Sequence, residues 1–182
     1  SLSQLGSIKL DKNETKKMIT TIPRSSVLGF IIGVLPGAGS TIASFLAYGM
    51  ERNFVNDEEK QKFGKGSING LAAPETANNA ACSGSFVPLL TLGIPGSGTT
   101  AVMLGALLGF GIQPGPRLYQ TNPEIFWSVI MSMYIGMVIL LILNLPLIPY
   151  IARILAVPRT FLIPMILFFS VTGIYLMSFN TF

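Results

Sequence analysis

The chain has 182 residues, of which 50% are hydrophobic and only 11% are charged, and its mean hydropathy is +0.61. About 25% of the residues in an ordinary soluble domain are charged, so this composition excludes that class and indicates an integral membrane protein. Basic cytoplasmic loops account for the net charge of +4, which therefore requires no nucleic acid as a partner. The chain has no histidine and a single cysteine, Cys82, which excludes histidine metal sites and an intrachain disulfide.

The charged residues are confined to a few stretches of the chain. Residues 25–50, 76–116, 125–152 and 160–182 contain no Lys, Arg, Asp or Glu. A helix that crosses a bilayer needs roughly 20 apolar residues, so these stretches predict an all-α, multi-pass membrane protein. The sequence lacks an initiator Met and stops at Phe182 inside an apolar run, from which we expect a fragment of a larger subunit.

Three regions follow from this pattern. Residues 1–25 are polar and predict a cytoplasmic loop or a short interfacial segment. Residues 26–111 contain two Pro-Gly interruptions and form the predicted transport region. Residues 112–182 begin with a proline-rich outer loop and continue as two transmembrane helices.

Residues 26–50 are interrupted at Pro36, which leaves two arms that are each too short to cross a bilayer alone. They can form either a discontinuous span or a re-entrant hairpin with the interruption at its tip. Lys and Arg lie on both sides of this region, and the positive-inside rule then places both flanks in the cytoplasm. The charge pattern therefore favours the re-entrant hairpin.

A second interruption follows in residues 92–100, 59 residues after the first, and predicts a discontinuous transmembrane helix. Broken helices at membrane depth are the recurring binding architecture of secondary transporters, although a structural kink is the simpler alternative. Helix N-termini at such breaks attract carboxylates, whereas carbonyl and hydroxyl oxygens suit Na⁺. The candidate substrate- and ion-binding residues of the two breaks are Pro36, Gly37, Gly39, Ser40, Thr41, Pro95, Gly96, Ser97, Gly98, Thr99 and Thr100.

Three polar residues between the breaks are further candidates for this site. We expect Pro74 to be the first residue of a helix, which would place Glu75 at its N-terminus. Glu75 is either a proton or cation site or a helix-start acid at the membrane edge. Asn78 and Asn79 are either substrate ligands or hydrogen-bonding groups between helices.

Four motifs resemble the large membrane subunit of the tripartite tricarboxylate transporters, the TctA family. They are GVLPGAGS at 33–40, FGKGSINGLAAPETANNAA at 63–81, PLLTLGIPGSGTTA at 88–101 and GIQPGP at 111–116. The resemblance covers residues 25–117 most distinctively and identifies the chain as part of the second half of that subunit.

The resemblance implies a bacterial inner-membrane symporter for carboxylates such as citrate, coupled to Na⁺ or H⁺ and without another cofactor. Its implied partners are the remainder of the large subunit, a small membrane subunit, a periplasmic solute-binding protein and the lipid bilayer. A channel and a structural membrane subunit are the alternatives. We expect no enzyme activity, because the apolar stretches lack histidine and paired acids.

Overall fold

The computed structural model describes residues 11–151 and 158–178, and every regular element in these ranges is a helix. The helices are α1 (Lys12–Val34), α2 (Gly39–Phe54), α3 (Asp57–Lys60), α4 (Ile68–Gly84), α5 (Phe86–Leu92), α6 (Gly98–Gly109), α7 (Leu118–Thr121), α8 (Pro123–Ile151) and α9 (Arg159–Met177). The all-α fold class is therefore confirmed in these ranges.

Helix α1 is longer than the sequence predicted, because it begins in the polar region that we interpreted as a loop or a short interfacial segment. Asp11 accepts a hydrogen bond from the backbone of the first turn, and Glu14 accepts one from the backbone N–H of Asp11 at 2.8 Å. This reciprocal capping starts the helix at Lys12, and the helix continues without interruption through Arg24 to Val34.

Helices α1, α2 and α4 pack through buried residues, most of them small, that recur every fourth position. On α1 the buried residues are Thr21, Ser25, Gly29 and Gly33; on α2 they are Ala43, Ala47 and Glu51; and on α4 they include Asn69, Ala73, Ala77 and Ala81. Residues four apart lie on one face of a helix, so each helix presents a narrow stripe of small residues to the others. Such stripes allow helix backbones to approach closely in membrane proteins.

The closest approach joins α1 to α4. A Cβ atom added at Gly29 would lie 2.6 Å from Cα of Ala77, and one added at Gly33 would lie 2.6 Å from Cα of Ala81. Carbon atoms pack at about 3.5–4.0 Å, so glycine is required at both positions. These two contacts fix the axial position of α1 relative to α4.

Contacts between the helices also define their directions. Asn69 of α4 bonds to Thr21 of α1 across 48 residues, and the glycine contacts above have the same offset, so α1 and α4 run parallel. Glu51 near the end of α2 bonds back to Thr21 on α1. The chain therefore reverses after Val34, and α1 and α2 form a helical hairpin.

The prediction that Pro74 begins a helix is wrong. Ser67 is the N-cap of α4 and its Oγ accepts a hydrogen bond from the backbone N–H of Gly70, so Pro74 lies inside the helix. Ser67 is a stronger helix-start signal than Pro74, and it directly follows Gly66, which has a φ of 102°. Glu75 consequently lies in the body of α4, away from its N-terminus, and is exposed.

A charged cluster ties the start of α1 to α3 and α4. The ammonium of Lys17 donates to Glu59 at 2.6 Å, and the hydroxyl of Ser67 donates to the same carboxylate at 2.8 Å. The hydrogen bond from Lys17 lowers the pKa of Glu59 below its ordinary value, with smaller contributions from Ser67 and the positive charge of Lys62, and burial opposes them. Glu59 is only 6% exposed, so this cluster is a specific contact rather than a solvated surface pair.

The chain divides into two compact units, Lys9–Ile130 and a second that contains Met131–Phe182. Within residues 123–148, one helix is long and apolar enough to span a membrane, with a mean hydropathy of 2.4. Shorter apolar helices occupy Gly98–Gly109 and Thr160–Leu176. The large side chains of α8 and α9 are mostly exposed, as expected for helices that meet lipid or further protein.

Candidate functional site

The first Pro-Gly interruption separates α1 from α2. Leu35 is extended and ends α1, and Gly37 and Gly39 adopt positive φ values of 86° and 71°. Helix α2 begins at Gly39, and its N-cap residue, Ala38, provides no side-chain hydrogen bond. The first N–H groups of α2 therefore have no side-chain cap.

The second interruption begins two residues earlier than its proline. Gly93 takes a left-handed conformation with φ 70° and closes α5, and a Cβ atom there would lie 2.7 Å from the carbonyl oxygen of Pro114. Helix α6 begins at Gly98 after a capping box between Ser97 and Thr100. The backbone N–H of Ser97 donates to Oγ1 of Thr100 at 2.8 Å, so these two hydroxyl groups organise the start of α6.

The structure brings the two interruptions together. The N–H of Gly37 donates to the carbonyl oxygen of Gly96 at 3.4 Å. Gly96 is buried, and a Cβ atom there would lie 3.3 Å from Cβ of Ser85. The contact depends on the packing of α1 against α4, because that packing places Gly33 beside the second interruption.

A cavity of about 110 Å³ lies where the interruptions meet. It is lined by Gly33, Gly39, Ser40, Ala81, Cys82, Ser85, Phe86, Ser97, Thr99 and Thr100. Five of the predicted site residues are among them. Pro36, Gly37, Pro95 and Gly96 lie in the interruptions without lining the cavity, and neither do Thr41 and Gly98 in the first turns of α2 and α6 line it.

The N-termini of α2 and α6 both open onto this cavity, through Gly39 and Ser40 on one side and Thr99 and Thr100 on the other. Each helix N-terminus carries roughly half a positive charge and free N–H donors. None of the lining residues is acidic or basic. The cavity can therefore hold an anionic group by backbone N–H groups and hydroxyls alone.

The other predicted residues lie on α4, outside this lining. Asn78 donates to Oγ of Ser44 on α2 at 3.3 Å, so it bonds between helices. The amide of Asn79 donates to the carbonyl oxygen of Glu75 in its own helix at 2.9 Å, and both residues are exposed. The structure does not bring these three residues to the cavity.

The sequence did not predict a buried polar cluster around Glu51, the first charged residue after the uncharged stretch 25–50. Helix α2 continues to Phe54, and Glu51 is fully buried. Its Oε1 accepts hydrogen bonds from the hydroxyl of Thr21 at 2.7 Å, the guanidinium of Arg24 at 2.8 Å and the amide of Asn69 at 3.3 Å. The four-residue spacing of Thr21, Ser25, Gly29 and Gly33 was the available signal that this face of α1 is buried.

Paired helix starts around one cavity are a recurring feature of the binding sites of secondary transporters. The tripartite tricarboxylate transporter TctA family model matches residues 2–182. The chain belongs to the TctA family, as its motifs predicted.

Two curated relatives come from Agrobacterium vitis. An uncharacterized 52.8 kDa protein in the TAR-I ttuC' 3' region is 44% identical over 173 residues, which is 95% of this chain and 34% of that protein. An uncharacterized protein in the TAR-II ttuC' 3' region is 46% identical over 154 residues, which is 85% of this chain and 63% of that protein. The chain thus spans less than two thirds of either relative, and no solved structure matches it.

Proposed function

We propose that this chain forms part of the substrate pathway of an ion-coupled carboxylate symporter in the bacterial inner membrane. The observation that carries the proposal is the convergence of the α2 and α6 N-termini on one cavity without charged side chains. The two helix N-termini attract an anion through their N–H groups. Because no Lys or Arg lines the cavity, no basic side chain holds the anion too tightly for release. Membership of the TctA family supports a tricarboxylate or a related carboxylate as the anion.

In this proposal, the α1–α2 hairpin enters the membrane from the cytoplasmic side and its tip reaches the cavity. Helices α5 and α6 form the two arms of a discontinuous span, and α6 supplies the second helix start. Irregular backbone at membrane depth is tolerated where protein or a cavity surrounds it, and residues 35–38 and 93–97 adjoin the cavity that Gly33, Gly39 and Ser97 line. The remainder of the large subunit supplies the rest of the site.

The proposed transporter works with a small membrane subunit and a periplasmic solute-binding protein, since the family is that of a tripartite system. The binding protein delivers the carboxylate, and a Na⁺ or H⁺ gradient drives its uptake. The carboxylate would accept hydrogen bonds from the first N–H groups of α2 and α6 and from the hydroxyl of Thr99, which is exposed in the cavity.

The experiment is uptake by the complete transporter in proteoliposomes, with a panel of di- and tricarboxylates and with Na⁺ and pH gradients imposed separately. Thr99→Val keeps the shape of the side chain and removes its hydroxyl, and we expect it to reduce uptake at least about tenfold through the lost hydrogen bond to a charged group. Thr91→Val is the matched control, because Thr91 is exposed on α5 outside the cavity lining.

Normal uptake by Thr99→Val would remove this hydroxyl from the site. Uptake that proceeds only down the carboxylate gradient, whatever ion gradient is imposed, would indicate a channel and contradict the symport mechanism.

A further inference from the structure

The buried cluster around Glu51 contains acceptors that no donor satisfies. Oε2 of Glu51 and Oδ1 of Asn69 are buried acceptors without a hydrogen-bond partner among the described residues, and Nε of Arg24 is a buried donor without one. The two side chains are held together, since the Asn69 amide lies 3.3 Å from Oε1 of the same carboxylate. Two buried oxygen acceptors without a donor are costly, unless a proton or a hard cation joins them.

Three helices hold this cluster in place. Thr21 and Arg24 come from α1, Glu51 from α2 and Asn69 from α4, and all except Arg24 are less than 5% exposed. Ser25, the next member of the buried stripe on α1, also has an unpartnered hydroxyl oxygen. The unpartnered oxygen atoms are therefore a carboxylate and an amide oxygen of the cluster and, about one turn further along α1 than Thr21, a hydroxyl oxygen. All three are oxygen ligands of the kind that hard cations such as Na⁺ accept.

Arg24 is the group that neutralises Glu51 when no cation is bound. Its guanidinium donates to Oε1 at 2.8 Å, but the side chain is 35% exposed and also lies over the ring of Phe54, 4.7 Å from the centroid. Its Nε is buried, but the exposed part of the side chain lets the guanidinium turn from the carboxylate toward water without unfolding any helix. A bound cation then replaces its charge, which keeps the buried cluster neutral.

The other charged groups nearby do not satisfy Glu51. On α4 the only charged residue is Glu75, which is exposed, and the thiol of Cys82 on the same helix is also exposed. Arg52, the neighbour of Glu51 on α2, is also exposed. The next charged layer along α1 is the pair of Lys17 with Glu59, in which the two residues neutralise each other at 2.6 Å.

We propose that Glu51 binds the coupling cation, H⁺ or Na⁺, at its free carboxylate oxygen in exchange for Arg24. This inference rests on the proposed function, because it names the cation site of the same symporter. From Ser25 to Gly33, α1 rises by roughly 12 Å, so the cation site and the carboxylate cavity are separate sites on one hairpin.

The test measures the thermal unfolding midpoint of the purified large subunit in detergent, without any carboxylate. NaCl replaces choline chloride at constant ionic strength in one arm, and pH is varied in the absence of Na⁺ in the other. A cation that binds the folded state raises the midpoint by mass action. We expect one of the two arms to show this rise. Glu51→Gln should raise the half-saturating concentration of that cation at least about tenfold, because it weakens binding.

The arm that responds identifies the cation, and Glu58→Gln is the matched control because Glu58 is exposed and pairs with Lys62. Arg24→Gln distinguishes competition from a structural role: removal of the competing charge should tighten cation binding at least about tenfold. If Glu51→Gln is not recovered in folded form, the cation affinity of Arg24→Gln alone tests whether the cation competes with Arg24 for Glu51.

Three results would overturn the proposal. They are an unchanged cation response in Glu51→Gln, an unchanged half-saturating concentration in Arg24→Gln, and the absence of both Na⁺ and pH responses in the wild type, which would leave the cluster to buried water. Each can occur while carboxylate uptake persists, so failure here is distinguishable from failure of the proposed transport function.

Discussion

Substitution of Gly33 by Ala should separate α1 from α4 and reduce stability. The added Cβ would lie 2.6 Å from Cα of Ala81, and two further backbone atoms of Ala81 crowd the same position. Carbon atoms normally pack at about 3.5–4.0 Å, so the helices must move apart by roughly 1 Å. Backbone atoms cannot rotate away as a flexible side chain can, so the strain cannot be relieved locally.

Overpacking of this kind costs about 1–3 kcal/mol, whereas Gly→Ala inside an unhindered helix contributes about 0.5–1 kcal/mol of stability. We therefore expect Gly33→Ala to lose at least about 1 kcal/mol in the free energy of unfolding, because the clash involves several atoms. Gly49→Ala on α2 is the control, since no atom lies within 4 Å of a Cβ there and the substitution should be neutral or stabilising.

The assay is SDS-induced unfolding of the purified subunit in mixed micelles, followed by far-UV circular dichroism. Gly33 also lines the cavity, so uptake by Gly33→Ala should fall together with stability. Equal free energies of unfolding for Gly33→Ala and Gly49→Ala would refute the close packing of α1 on α4.

Two further predictions concern side-chain contacts of the same unit. In the folded protein the hydrogen bond from Lys17 lowers the pKa of Glu59 below its ordinary value of 4.5. Ionised Glu59 therefore contributes to folding stability above pH 4.5, and this contribution is lost as the pH falls through the lowered pKa. Glu59→Gln should flatten the fall in unfolding midpoint on acidification, and Glu58→Gln should not. Asn78→Leu should lose about 0.6 kcal/mol of stability with its bond to α2, while Asn79→Leu changes stability little; equal losses in SDS unfolding would contradict the interhelical role of Asn78.

Local signals in the sequence sufficed to predict where the helices break. Proline and glycine interrupt a helix through their own backbone chemistry, so the interruptions at Pro36 and Pro95 were recognisable without a fold. The structure adds that Gly93 closes α5, because the carbonyl oxygen of Pro114 leaves no space for a side chain. That contact comes from a loop distant in sequence and has no local signature.

The contact between the two interruptions could not be derived from spacing alone. It requires α1 and α4 to run parallel with an offset of 48 residues, which depends on the fit of Gly29 and Gly33 against α4. The burial of Glu51 was missed for a related reason. Its neighbours in sequence are charged and resemble a solvated loop, whereas the four-residue stripe of α2 continues through it.

The measurement that tests the central claim most directly is the rate of maleimide labelling of Cys82, which lines the cavity and is exposed. It uses the complete transporter with Cys82 as its only cysteine, with and without a carboxylate that the transporter takes up. The account predicts severalfold slower labelling when the carboxylate is bound, and loss of this protection in Thr99→Val. A labelling rate that saturating carboxylate leaves unchanged would contradict the claim that the α2 and α6 starts enclose the substrate site.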